Sequence, residues 1–273
     1  MPTEHVITPR LLREWPLPDP EGDKESRGTV LVVGGSRFNP GAVLLAGVAA
    51  LRAGAGRLQL AVAQESAVAL SIAVPEAKVV GLESDELVSL AEAADVITIG
   101  PGLDDIGRTA ELMRVLLGAA GPGTGVVLDA YALGALSKDP GLLRPGRAVL
   151  TPNVTEAGHL LGHDPGDDLT AAARTLAGRY RVVVSLYGHI ADPDGQVWHE
   201  ESGDAGLGTS GSGDARAGVV AGLLGRGADP AQAACWGAYA HAVSGQRLSQ
   251  RYGRTGFLAR EIVDEVAYTI ATV

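Results

Sequence analysis

The run GTSGSGDARAG at 208–218 sets Gly208, Gly211 and Gly213 directly ahead of the apolar stretch 219–224. Glycines there leave the backbone free to take positive φ and to approach a ligand closely. If the apolar stretch is helical, its first amides lack intrahelical partners and carry the positive end of the helix dipole. Such a turn is a natural seat for phosphate, with Gly211, Ser212 and Gly213 as the residues expected to meet it. Asp214 is the odd member, because a carboxylate opposes a phosphate charge. It either favours the helix N-terminus electrostatically or acts as a general base where a phosphoryl group meets a substrate hydroxyl.

A second candidate pair is Asn153 and Glu156, spaced i and i+3. At a helix start the two either face a hydrated Mg²⁺ beside phosphates or cap the helix. Asp129 follows an apolar run and is open to reading as a ligand contact, a cap or a turn residue. The six histidines show no pair at zinc-ligand spacing. Cys235, the one cysteine, sits between Ala234 and Trp236 and reads as a buried structural thiol. Gly34, Gly35 and Ser36 do not form G-x-G-x-x-G, and no P-loop lysine pattern occurs, so a Rossmann dinucleotide site is disfavoured.

These residues need strand ends to hold them. Short apolar runs at 28–33, 57–63, 77–80, 96–99, 125–128, 148–150 and 182–185 read as strands. Helical patterns fall between and after them at 40–53, 66–72, 84–93, 109–117, 169–177, 215–224, 230–248 and 258–270, with a further helix ending at Leu161. The turn signal DPDG at 192–195 separates 190–191 from 197–199 and predicts an antiparallel hairpin at the sheet edge. Alternating strands and helices predict a three-layer α/β/α domain over 28–273, with a mainly parallel sheet covered on both faces. Residues 1–27 are polar and proline-punctuated and read as a leader with one helical turn at 11–15. Ligands of open α/β sheets bind at the carboxyl ends of the strands. Polar or glycine-rich stretches recur there, at 34–36, 100–103, Asp129, 151–156, 185–188 and 208–214.

With 46% hydrophobic residues in 273, the chain can bury a full core, and 38 glycines with few aromatics favour tight helix-on-sheet layers. A formal net charge of −10 argues against nucleic-acid or anionic-membrane partners. The single cysteine, the missing signal peptide and the lack of a membrane-length apolar run point to the cytoplasm.

The motifs PGAVLLAG at 40–47, GPGL at 100–103, LDAYAL at 128–133, LTPNVTE at 150–156, ADPDG at 191–195 and GLGTSGSGD at 206–214 occur in this order. Together, over about residues 25–270, they resemble the ADP/ATP-dependent NAD(P)H-hydrate dehydratases, a branch of the ribokinase-like fold. The resemblance implies dehydration of the (S)-hydrate of NADH or NADPH with ADP or ATP as phosphoryl donor, Mg²⁺ as cofactor, and a homotetramer. It carries Asp214 over as the base, and Ala42, Gly102, Asn153 and Asp214 as substrate contacts. Val184, Ser185, Leu186, Tyr187, Gly188, Gly211, Ser212 and Gly213 match the nucleotide side, and Glu156 with Asn153 the water-mediated metal site. The epimerase domain that often precedes such enzymes has no room in the 27 leading residues.

Two positions depart from the family pattern. Asn153 in Asn-Val-Thr-Glu stands where the family has histidine in His-Pro-Gly-Glu. A family Lys-Gly pair before the hairpin is matched by Val184-Ser185 or by Tyr187-Gly188, depending on alignment, so a cation is missing either way. Arg216 lies inside the phosphate helix and either turns toward the anion or points to solvent. The competing readings are a ribokinase-like kinase with a stable phosphorylated product and a non-catalytic nucleotide-binding relative.

Overall fold

The computed structural model describes residues 4–18, 23–203 and 205–273. The chain opens with β1 (Glu4–Val6) and α1 (Pro9–Glu14), then alternates through β2 (Thr29–Val33), α2 (Gly41–Arg52), β3 (Arg57–Val62), α3 (Gln64–Ala73) and β4 (Ala77–Gly81). It continues with α4 (Leu87–Ala93), β5 (Val96–Ile99), α5 (Ile106–Ala119), β6 (Gly125–Leu128), α6 (Tyr131–Lys138) and β7 (Ala148–Leu150). Two helices, α7 (Val154–Leu161) and α8 (Leu169–Tyr180), lead to β8 (Val183–Leu186), β9 (His189–Ala191) and β10 (Val197–His199). The last elements are α9 (Ser212–Gly225), α10 (Pro230–Tyr252) and α11 (Ala259–Ala271).

The strands form one ten-stranded sheet in the order β1-β10-β9-β8-β7-β6-β5-β2-β3-β4. Every pairing is parallel except those of β9, which runs antiparallel to both β8 and β10. The expected hairpin is therefore present, and it extends the parallel sheet. Strand β2 shows why both faces are covered. Val30 and Val32 join the core shared with α2, α9 and α10, while Leu31 and Val33 join the opposite core beneath α4 to α8. A strand apolar at every position has no face to leave in water. This is the three-layer α/β/α fold expected from the sequence.

Glycines fix where α9 lies. A Cβ on Gly218 would stand 2.1 Å from the carbonyl oxygen of Ala46, and one on Gly222 would stand 2.2 Å from that of Ala50. The helix thus rests backbone to backbone on α2, which aims its N-terminus at the carboxyl ends of the strands.

Two features depart from the expected elements. Part of the proposed leader is a working piece of the sheet: β1 pairs parallel with β10. Trp15, just past α1, stacks on Trp198 at 5.9 Å, and the side chains of Gln232 and Trp236 donate to its carbonyl. A three-residue strand whose one apolar residue, Val6, is exposed carries too little periodicity to be read in advance. Helix α6 is the second addition. Its small residues, Ala132, Gly134 and Ala135, blur the apolar face that marks a helix.

Candidate active site

The carboxyl ends of β6, β7 and β8, a 3-10 turn at Ala205–Gly208 and the N-terminus of α9 enclose a cavity of about 640 Å³. Ser212, Gly213 and Asp214 form the first turn of α9 along its wall. Helices α5, α7, α8 and α10 each begin under an Asp or Asn side chain that accepts from a first-turn amide. The first turn of α9 has no such side chain, because its N-cap is Gly211 at φ 86°. The amides of Gly213 and Asp214 are left for whatever enters the cavity. A Cβ on Gly211 would also strike Leu45 of α2 at 2.5 Å. Gly213 has ordinary helical φ and open space about its Cα, so its expected positive φ is not found; Gly208 likewise lacks it. Among these three glycines, only Gly211 is held by conformation. Gly213 faces open space in the cavity wall.

Asn153 and Glu156 face the same cavity and form a reciprocal capping box. The Glu156 amide donates to Asn153 Oδ1 at 2.9 Å, and the Asn153 amide donates to Glu156 Oε2 at 2.9 Å. Both alternatives drawn from the i, i+3 spacing can therefore hold together. One carboxylate oxygen caps the helix and Oε1 stays available. No cluster of three or more His, Cys, Asp or Glu able to ligate a metal directly occurs among the described residues. This donor set suits an ion held through its own waters.

Asp129 ends β6 and joins the wall. Its Oδ1 accepts from the Thr151 hydroxyl at 2.8 Å. Three carboxylates now feel one another. Asp214 is pushed up to about 7 by burial first, then by the charges of Asp129 and Glu156. Glu156 is raised by burial and by Asp129, against the opposing pull of the Asn153 amide and Arg216. Asp129 is raised by burial, against Thr151 and Arg216. A carboxylate that accepts protons near neutral pH has the affinity a general base needs. His241, which meets the Ser212 hydroxyl at 3.2 Å, is driven down to about 3 by burial and by Arg216, so it stays neutral.

The residues matched to the nucleotide side divide sharply. Tyr187 and Gly188 line the cavity, but Val184, Ser185 and Leu186 are fully buried strand residues outside its lining. Their side chains belong to the covered sheet and do not line the cavity. Tyr187-Gly188, one of the two pairs matched to the family's Lys-Gly, follows β8 and turns the chain into the hairpin. Ala42 and Gly102 adjoin each other at the neighbouring strand ends, where a Cβ on Gly102 (φ 70°) would lie 2.8 Å from that of Ala42. They do not line the cavity itself. Leu45, one turn beyond Ala42 on α2, is the residue that touches Gly211.

The NAD(P)H-hydrate dehydratase family model matches residues 30–267. The chain belongs to this family of hydro-lyases. It is 45% identical to the ADP-dependent (S)-NAD(P)H-hydrate dehydratase of Xanthomonas campestris, over 97% of this chain and 96% of that protein. Among solved structures it resembles an ADP/ATP-dependent NAD(P)H-hydrate dehydratase from Bacillus subtilis, crystallised with ATP and Mg²⁺. That likeness has a TM-score of 0.85 at 28% identity and covers 98% of each chain. A ribokinase-like protein from Enterococcus faecalis shares the fold, at a TM-score of 0.87 and 24% identity over 98% of this chain and 96% of that one.

The cavity brings together Asp129, Thr151 and Arg216, which the sequence had raised as open readings or within a named stretch, with Glu200 and His241, which it had not. Asp129 could be found from its place at a strand end. Glu200 and His241 had no signal, since a turn and the middle of a long helix bring them in. Among the described residues, two of the three non-glycine residues with positive φ, Ala130 (48°) and Tyr187 (52°), also line the cavity. Such backbone costs about 1–3 kcal/mol per residue and clusters at functional sites.

Proposed function

We propose that this protein repairs damaged nicotinamide cofactor, dehydrating the (6S)-hydrate of NADH or NADPH at the expense of ADP or ATP. The observation that carries this reading is Asp214, a proton acceptor near neutral pH at the mouth of a helix N-terminus left uncapped. Anion binding alone gives no reason for a carboxylate there.

Hydroxide leaves poorly, its conjugate acid water having a pKa of about 15.7. Phosphate, with a second pKa of about 6, leaves readily. In this reading Asp214 takes the proton of the hydrate hydroxyl as the oxygen attacks the terminal phosphorus of the nucleotide, and the bond from that phosphorus to its bridging oxygen breaks, releasing AMP from ADP or ADP from ATP. The amides of Gly213 and Asp214 hold the transferring group. The carbon–oxygen bond then breaks, phosphate departs with that oxygen, and loss of a proton from the adjacent carbon restores the ring double bond. Glu156 through Oε1, with Asp129 beside it, would hold the waters of Mg²⁺, which when bound neutralises phosphate charge. Ala42 and Gly102 flank the substrate side. The Val68 and Ile72 side chains, four residues apart on α3 and 73% and 76% exposed, support a homo-oligomer, with the tetramer as its expected form. Incubation with NADH hydrate and ADP tests the reading: absorbance of reduced nicotinamide should recover, and no recovery with either nucleotide would overturn it.

A further inference from the structure

We infer that Arg216 is a specificity-determining residue of this site, binding the phosphates of the adenine nucleotide from within α9. The inference rests on the proposed nucleotide dependence. The cavity is lined by four carboxylates, Asp129, Glu156, Glu200 and Asp214, and by Arg216 as its one cationic side chain among the described residues. A polyanion entering such a space needs that cation.

Arg216 is 6% exposed. Its Nη2 donates to the carbonyls of Thr151 at 2.8 Å and Pro152 at 3.3 Å, which pins one edge of the guanidinium over the end of β7. Both bonds go to carbonyls and none to a carboxylate, so no direct ion pair holds the guanidinium, which feels Asp129 and Glu156 only through space. Nε is buried without a partner. A buried donor left unmade is costly, and more so on a charged group, unless a ligand completes it. The guanidinium also sits 5.8 Å from the centre of the Tyr187 ring. Tyr187, held at φ 52° after β8, thereby covers the cation with an aromatic face and limits its hydration. Arginine presents its donors as a planar fork, and a fork pinned along one edge offers the rest to phosphate oxygens.

Calorimetric titration of ADP and of adenosine into the parent and variants tests this. Arg216→Gln keeps an amide donor for the Thr151 carbonyl and removes the charge. ADP affinity should fall about ten- to hundredfold, as for one charged hydrogen bond, with adenosine unchanged. Arg216→Lys should fall between the two. Equal weakening of ADP and adenosine would mark a structural arginine and overturn the inference, as would unchanged ADP affinity. If Arg216→Gln does not fold, Tyr187→Lys decides: a second cation beside Arg216 should tighten ADP severalfold and leave adenosine alone, and no gain overturns it. A parent that binds ADP through Arg216 yet restores no NADH would sink the dehydratase reading and leave this one standing. A parent that binds no adenine nucleotide sinks both.

Discussion

Replacing Asp214 with asparagine should make the protein more stable and nearly inactive. In the folded state its carboxyl is carried from the ordinary 3.8 to about 7, because burial and the charges of Asp129 and Glu156 oppose ionisation. A raised acid stabilises the fold fully below its unfolded pKa, and that contribution is lost as pH rises through the folded value. At about 1.4 kcal/mol per pH unit, ionised Asp214 costs the fold about 4 kcal/mol at its upper limit. Asparagine fills the same space without titrating. Its stability advantage should therefore grow by about 2–3 kcal/mol between about pH 5 and pH 8.5. For a chain of this size that is a rise in Tm of about 4–9 °C, readable by thermal melts of the ligand-free protein at the two pH values. Loss of the base should lower kcat by about 10²- to 10⁴-fold with little change in KM. In the parent, kcat/KM should rise tenfold per pH unit at low pH and level near the 7 at which Asp214 titrates. A variant whose advantage does not grow with pH, or which keeps more than about a tenth of parental kcat, refutes the assignment.

Three further substitutions probe the frame around that carboxylate. Glu156→Gln can still accept from the Asn153 amide, so Tm should hold while the rate falls and needs more Mg²⁺; an unchanged Mg²⁺ titration would reduce Glu156 to its cap. Gly213→Val should barely alter stability, because the φ is helical and the space open, yet weaken ADP at least tenfold by obstructing the phosphate seat. Parental ADP affinity in the calorimeter would remove Gly213 from the site. Gly218→Ala places a methyl 2.1 Å from the Ala46 carbonyl oxygen, so urea unfolding should show a loss of about 1–3 kcal/mol or more, and a neutral result would contradict the α2–α9 contact.

The layered sheet was legible because continuous apolar runs, such as Val30 to Val33, leave few other folds, and the 192–195 turn marked the hairpin. The N-terminus of α9 was legible from Gly211 to Asp214. Residues that act through backbone register were not. Val184, Ser185 and Leu186 match the nucleotide side in sequence, yet their strand is covered on both faces, and only the next two residues emerge into the cavity. The missing lysine and Arg216 were both visible in the sequence, but not which way Arg216 turns, since the carbonyls of Thr151 and Pro152 hold it inward. Asn153 and Glu156 gave two readings from one spacing, and their paired hydrogen bonds leave one carboxylate oxygen for the second.

Recovered NADH and released phosphate, measured together from NADH hydrate with ADP, test the central claim most directly. One phosphate should appear for each NADH restored, with no recovery when nucleotide is omitted. Nucleotide consumed with neither NADH nor free phosphate formed would indicate a kinase with a stable product and contradict the account.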